Sequence, residues 1–217
     1  MPPEPLILGF DTSAAHCAAA LVSGGKVLTH VREDMARGQA ERLMPLLEEV
    51  LADQGATWGD LSAIGVGIGP GNFTGIRISV AAARGLALSL GIPAVGVSAL
   101  EAQAHGLPGV VVSSLDARRE MLYLQVLGDG GGTGPELCSV ERLPEVPTGA
   151  APLCVGHMAD EIAARCAGTV TAPTVEPAEA IALIAETRRN GAARPAPLYI
   201  RPADAAPPRD AGPVILP

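Results

Sequence analysis

Hydrophobic positions recur along this chain first with the period of strands and then with that of helices, and each change of period marks an element. Leu6 to Phe10 is a short apolar run ending at Asp11-Thr12-Ser13, and Cys17 to Val22 is a second. Ser23-Gly24-Gly25-Lys26 reads as a turn into a third strand, Val27 to Val31, so the chain opens as strand, polar turn and hairpin. Gln39 to Ala52 has helical spacing: Ala40, Leu43, Met44, Leu47, Val50 and Leu51 fall at three- and four-residue steps on one face. Pro45 falls on the opposite side, where solvent replaces its lost amide bond and the helix merely bends. Ala63 to Ile68 is a buried strand that Gly69-Pro70-Gly71-Asn72 breaks.

Phe73 to Leu90 predicts a second helix, stopped by Gly91 and Pro93. Ile76, Ile78, Val80, Ala81, Ala82, Ala83, Leu86, Ala87, Leu88 and Leu90 leave it almost no polar stripe. A helix apolar all round must be covered on more than one side. Its own sheet covers one face, and another subunit is a natural cover for the other. Ala94 to Val97 is a further strand, and Ser98-Ala99-Leu100-Glu101 has capping-box spacing, so Ser98 starts a helix.

The pattern then restarts. Val110 to Leu115 leads to Asp116, and Met121 to Leu127 forms the returning strand. Set beside Leu6 to Asp11 and Ala18 to Val22, this second strand–Asp–turn–strand unit points to duplication of a βαβ-rich lobe. Gly128 to Pro135 is a glycine-rich loop, Leu153 to Val155 a short strand and Asp160 to Cys166 a short helix. Pro177 to Asn190 is a cleaner helix, with Pro in its first turn, Arg188 and Arg189 in its last and Gly191 beyond. Arg194 to Pro197 is an extended linker into Leu198-Tyr199-Ile200-Arg201, and the proline-rich tail after Pro202 reads as partly disordered.

Composition narrows the function classes. The 217 residues are 48% hydrophobic, enough for a core in one large or two small lobes, filled mainly by Ala, Val, Leu and Ile because aromatics make up only 2%. A net charge of -8, with Lys26 the only lysine, argues against this chain gripping a nucleic-acid backbone alone. Any phosphate clamp would rely on arginine or backbone amides. Cys17, Cys138, Cys154 and Cys166 form no CxxC pair, so neither zinc spacing nor a disulfide framework is expected, and they read as buried reduced thiols. Met1-Pro2-Pro3-Glu4-Pro5 lacks the basic start and apolar stretch of a signal peptide, and no run approaches the roughly 18 apolar residues of a membrane span. A soluble cytoplasmic protein that does not meet a membrane is the expectation.

Two turns carry candidate chemistry. Asp11-Thr12-Ser13 offers a carboxylate and two hydroxyls to a cation or phosphate, and the same residues serve equally as a turn held by their own hydrogen bonds. In Gly69-Pro70-Gly71-Asn72-Phe73-Thr74-Gly75-Ile76-Arg77, glycines allow tight bending and close approach, and Asn72 or Thr74 can cap the helix. A glycine loop opening a helix is an anion-site candidate, or a strand-to-helix corner packed closely at Gly75. No Gly-Lys-Ser/Thr or GxGxxG is present. Asp116 and Arg118 form either a second phosphate-facing turn or an Asp-capped turn with a solvent-side arginine, the latter favoured. His16, His30, His105 and His157 show no HxxxH or HExxH spacing and read as surface or packing residues.

Gly-Pro-Gly-Asn-Phe-Thr-Gly-Ile-Arg-Ile, Gly69 to Ile78, is the string by which the chain resembles the TsaB family. Around it, Leu8 to Ser13 resembles the family's opening strand, Gly85-Leu86-Ala87 the continuation of its helix, and Ile92 to Leu100 the following strand and cap. Asp116-Ala117-Arg118 and Pro197 to Arg201 match the start of the second lobe and the C-terminal signature. The resemblance implies an α/β protein of two tandem RNase H-like lobes of the actin-like (ASKHA) fold, the second reduced. The lobes are expected at 1–104 and 105–191, with 192–217 packing back on the first. It implies a non-catalytic scaffold that pairs with the catalytic paralogue TsaD and the ATPase TsaE to place threonylcarbamoyl on adenosine 37 of tRNAs reading ANN codons. The chain would be a homodimer when alone and would meet tRNA only through the complex. Partner-binding residues expected on the two helices are Gln39, Arg42, Leu46, Ile76, Arg77, Val80, Ala83 and Arg84. Candidate nucleotide or phosphate loops are Asp11, Thr12, Ser13, Gly69, Gly71, Asn72 and Asp116. No cofactor of its own is implied: ATP or ADP would lie at the subunit interface and the metal in the partner, whose HxxxH ligands are replaced here by Gln39 and Leu43.

Two other functions compete. A nucleotide-dependent enzyme of the sugar-kinase type would use Asp11 and the glycine loop but lacks a convincing general base and a nearby lysine. A peptidase lacks a metal-ligand pair, a GxSxG and a Cys/His motif. On the scaffold reading, Val80→Asp is expected to leave the monomer folded and to prevent assembly.

Overall fold

A computed structural model describes residues 4–128, 132–147 and 151–201. Five strands form the first sheet: β1 (Leu6–Asp11), β2 (His16–Ser23), β3 (Lys26–Asp34), β4 (Leu61–Gly67) and β5 (Ala94–Val97), in the order β3-β2-β1-β4-β5. β1, β2 and β3 are antiparallel neighbours, whereas β4 and β5 run parallel to β1. Helices α1 (Gln39–Asp53) and α2 (Phe73–Leu90) connect the strands and cover one face. Period-two alternation in β1 sends Leu8 and Phe10 toward those helices, where they pack with Leu43, Leu47, Ile76 and Val80. Ile7 and Gly9 point the other way.

The expected restart is a repeat of topology. After α3 (Ala99–Ala104), strands β6 (Val111–Asp116), β7 (Met121–Leu127), β8 (Glu136–Ser139), β9 (Leu153–Gly156) and β10 (Thr169–Thr171) form a sheet in the order β10-β9-β6-β7-β8. Read from β8, this is the order and polarity of the first sheet. Helix α4 (Ala159–Cys166) joins β9 to β10 as α2 joins β4 to β5. No helix stands between β8 and β9 among the described residues, where α1 stands in the first sheet, so the second lobe is the reduced one.

The lobes exchange helices. α3 follows the first sheet but packs on β6, β7 and β9, while α5 (Pro177–Arg188) follows the second sheet and packs on β1, β2, β4 and β5. This corrects the expected boundary, since 177–188 belongs structurally to the first lobe. The seat explains two strand glycines. A Cβ on Gly9 would stand 2.7 Å from the Ala178 carbonyl oxygen, and one on Gly65 would stand 2.8 Å from that of Ile181. Small side chains on α5 (Ala178, Ala182, Ala185) complete the close contact. Beyond it, Ala192 joins the core under α5, Pro195 lies against Gly96, and the Leu198 amide donates to the Ile68 carbonyl at 2.8 Å. The tail after Pro202 and the middle of the glycine-rich loop lie outside the described residues.

Strands β8 and β10 were not expected: Glu136–Ser139 and Thr169–Thr171 are short and begin and end on polar residues. One other expectation changes. By length and composition α2 would suffice to cross a bilayer, with 18 residues at mean hydropathy 1.2. It instead lies on the first sheet, capped by Asn72 at one end and by left-handed Gly91 at the other.

Because α5 meets bare backbone at Gly65, we expect Gly65→Ala to destabilise the chain by roughly 2 kcal/mol in urea unfolding. Gly85 is mid-helix on α2 with open space around it, so Gly85→Ala should be neutral or stabilising, by up to about 1 kcal/mol.

Candidate functional site

Strand β1 ends at Asp11, and the next two residues form a buried knot. Asp11 Oδ1 accepts from the Ser13 amide at 3.2 Å, and Oδ2 accepts from Ser13 Oγ at 2.9 Å. His16 Nε2 also lies 2.8 Å from Oδ2, and both side chains are nearly inaccessible. Buried carboxylates need such partners, because an unmade bond there costs the full desolvation of the oxygen. His16 is therefore a packing histidine with a specific polar task.

The glycine-rich segment closes over this knot. The Asn72 amide donates to the Ser13 carbonyl at 2.6 Å, and Thr12 Oγ1 donates to the Gly75 carbonyl at 2.7 Å. A Cβ on Gly75 would fall 1.9 Å from the Thr12 oxygen, one on Gly71 2.3 Å from the Ser13 oxygen, and one on Gly67 2.0 Å from Asp11 Oδ1. Gly69 has φ 94 and precedes a cis proline, which turns the chain from β4 into α2. Asn72 Oδ1 accepts from the Thr74 and Gly75 amides at 3.0 and 3.2 Å, satisfying the first amides of the helix. The Asn72, Thr74 and Gly75 amides are thus paired within the chain.

Asp116 occupies the equivalent place at the end of β6, and its turn is built differently. Its Oδ1 accepts from the Arg118 amide at 2.7 Å, His157 lies 4.0 Å away, and Arg118, Arg119 and Glu120 all have left-handed backbone. The Asp116 carboxylate thus caps its own turn, and Arg118 is exposed. Asp11 and Asp116 both line a cleft between the lobes of about 310 Å³, with His16, Gln103, Leu115 and Val175. Its lining carries two carboxylates and an imidazole and, among the described residues, no lysine or arginine. Gln103 fixes the far wall, donating through Nε2 to Ser113 Oγ, the Ser114 carbonyl and the Val155 carbonyl. Ser13 donates to Asp11 and not to His16, so these three do not form a hydrolytic triad.

The second candidate surface is the outer side of α1 and α2, where half of the expected residues are not on the surface. Leu46, Ile76, Val80 and Ala83 are at most 3% exposed and fill the first core, because they lie on the helix sides facing the sheet. Val80→Asp would therefore bury a charge and unfold the monomer, contrary to expectation. Gln39 donates to the Met35 carbonyl, and Arg42 is held by Glu33 and Glu49, pairs that pull both carboxyls below their usual range. What α2 does present is Phe73, Arg77, Ala81, Gly85 and Leu88, with Leu88 81% exposed. The Arg77 guanidinium lies 3.9 Å from the centre of the Phe73 ring and donates through Nε to Tyr199 Oη at 2.9 Å, and the two rings are 5.1 Å apart. A shallow groove of about 450 Å³ runs between Arg77, Arg84, Leu88 and the returning Arg194 and Pro197. Phe73, Leu88 and Tyr199 were not among the residues expected on this surface; the available signal was that Phe73 and Tyr199 are two of only five aromatic residues in the chain.

Two sheets of one strand order, joined by exchanged helices around a cleft at the ends of β1 and β6, define a two-lobed actin-like, RNase H-like protein. The model of the family described as TsaD, tRNA N6-adenosine threonylcarbamoyltransferase, matches residues 30–179, and the chain belongs to that family. It is 36% identical over 122 residues to the tRNA threonylcarbamoyladenosine biosynthesis protein TsaB of Escherichia coli, a match covering 54% of this chain and 52% of that one. The chain thus spans about half the length of that curated relative. It is also 36% identical over 208 residues to an uncharacterised protein of Mycobacterium tuberculosis, covering 93% of this chain and 94% of that one. Among solved structures it is similar to a Pseudomonas aeruginosa protein described as having similarity to peptidase YeaZ, with TM-score 0.74, 26% identity, and 91% and 100% of the two chains covered.

Removing the imidazole from the knot leaves Asp11 short of a partner. His16→Ala is expected to destabilise the fold by roughly 2–3 kcal/mol, read as a lower urea midpoint with unchanged slope.

Proposed function

We propose that the chain is an accessory, non-catalytic subunit in the synthesis of threonylcarbamoyl-adenosine at position 37 of tRNAs reading ANN codons. On this reading it docks the catalytic paralogue TsaD through the outer side of α1 and α2, with TsaE joining the assembly. The free chain pairs with a second copy by the same surface. The observation that carries the reading is the outer side of α2, where Leu88 is 81% exposed and Phe73 and Tyr199 are each nearly half exposed around Arg77. Large apolar groups clustered this way on a soluble lobe favour burial against a partner, and aromatic and arginine side chains are the usual anchors of such surfaces. Ala81 and Gly85 between them let another helix approach closely. Met44, 37% exposed on α1, adds an adaptable contact.

The chemistry of the two helices supports an accessory role. At the positions where the catalytic paralogue carries its HxxxH ligands, Gln39 is tied to the Met35 carbonyl and Leu43 is buried in the core. A sugar-kinase reading has less support, because the Asn72, Thr74 and Gly75 amides are paired within the chain and the cleft would present carboxylates to a phosphate.

Leu88→Asp tests the docking face without touching the core. The variant should melt within about 2 °C of the parent yet lose co-purification with TsaD and its support of adenosine modification in a reconstituted reaction. Retained co-purification by a folded Leu88→Asp protein would sink the interface.

A further inference from the structure

Two of the four thiols meet. Cys154 in β9 and Cys166 at the end of α4 have their sulfurs 3.7 Å apart, in van der Waals contact across twelve positions of sequence. Gly168 keeps room for them, since a Cβ there would stand 2.8 Å from the Cys154 sulfur and 3.2 Å from that of Cys166. Their surroundings differ. Cys154 is fully buried, whereas Cys166 is partly exposed and lines a groove of about 740 Å³ together with Arg165, Leu143 and Pro152. A small oxidant therefore reaches Cys166 first. Burial, helped by the contact with Cys166, pushes the Cys154 thiol up to about 12. Cys17 and Cys138 are buried, and burial pushes Cys17 up to about 11.

We propose that Cys154 and Cys166 are a peroxide-responsive dithiol that closes reversibly to a disulfide, stapling the end of α4 to β9. The Cys166 thiolate attacks one oxygen of hydrogen peroxide; the O–O bond breaks, hydroxide leaves, and Cys166 becomes a sulfenic acid. The Cys154 sulfur then attacks that sulfur, the S–S bond forms, and water departs with the Cys154 proton. The hydroxide takes the proton that Cys166 gave up, so two thiols reduce one peroxide to two waters. Closure needs the sulfurs to approach by roughly 1.7 Å, to the S–S length of about 2.0 Å. A reduced dithiol reopens the bond by exchange. Neither sulfur lies in the lining of the cleft or on α1 and α2, so the staple acts on the second lobe alone.

The test treats the full chain with hydrogen peroxide, blocks remaining thiols with iodoacetamide under denaturing conditions, and maps peptides by mass spectrometry. The expected result is loss of two of the four thiols, a Cys154–Cys166 linked peptide, and a melting temperature raised by about 3 °C or more that dithiothreitol returns to its starting value. Cys166→Ser should abolish the linkage and leave Cys154 open to alkylation, and Cys154→Ser should leave a Cys166 sulfenic acid that dimedone traps. Four thiols still alkylated after peroxide, or a linkage made through Cys17 or Cys138, would overturn the proposal.

Discussion

The rest of the first lobe depends on backbone meeting backbone where the glycine segment closes over the Asp11 turn. Thr12, Ser13, Gly71, Asn72 and Gly75 interlock through a hydroxyl-to-carbonyl bond, an amide-to-carbonyl bond and two places where a Cβ cannot fit. That contact fixes where α2 begins, and α2 in turn fixes the core side of the helix against β4 and the outer side that carries Phe73, Arg77 and Leu88. The loop is held as a clasp, with the Asn72, Thr74 and Gly75 amides paired within the chain, and the position of the outer face follows from that pairing.

The second constraint is the exchange of α3 and α5 between the sheets. Each lobe is closed on one face by a helix whose chain belongs to the other repeat, so neither sheet is complete alone. The bare backbone at Gly9 and Gly65 lets α5 sit close enough to fill that face with alanines. Among the described residues the second repeat shows no counterpart of α1, and its core under α4 is smaller.

Much of this was legible in the residues. The limits of α2 and β5 and the Ser98–Glu101 capping box are found where period and capping residues place them. The duplication was visible as two strand–Asp–turn–strand units, although only the sheet order shows that it extends to all five strands. Other features were hidden for physical reasons. β8 and β10 are short and begin and end on polar residues, so no apolar run marks them. The seat of α5 on the first sheet is a long-range packing fact with no local signature, recorded in sequence only as glycines inside strands. On α2 the apolar count was right and the facing was not. A helix with little polar stripe does not announce which side meets its sheet, so Ile76, Val80 and Ala83 were assigned outward when they are core, and Leu88 and Phe73 were passed over. In the Asp11 turn the residues allowed both a ligand site and a self-bonded turn; the self-bonded contacts are present, and Asp11 also lines the cleft.

The most direct measurement of the clasp is amide hydrogen exchange at Asn72, Thr74 and Gly75 in the free protein, with and without a magnesium–nucleotide complex. Paired as they are, these amides should exchange only when the lobe unfolds, and at a rate the nucleotide leaves unchanged. Rapid exchange in the free chain that slows when nucleotide is added would mean that the segment is an open phosphate cradle, and the account would be wrong at its centre.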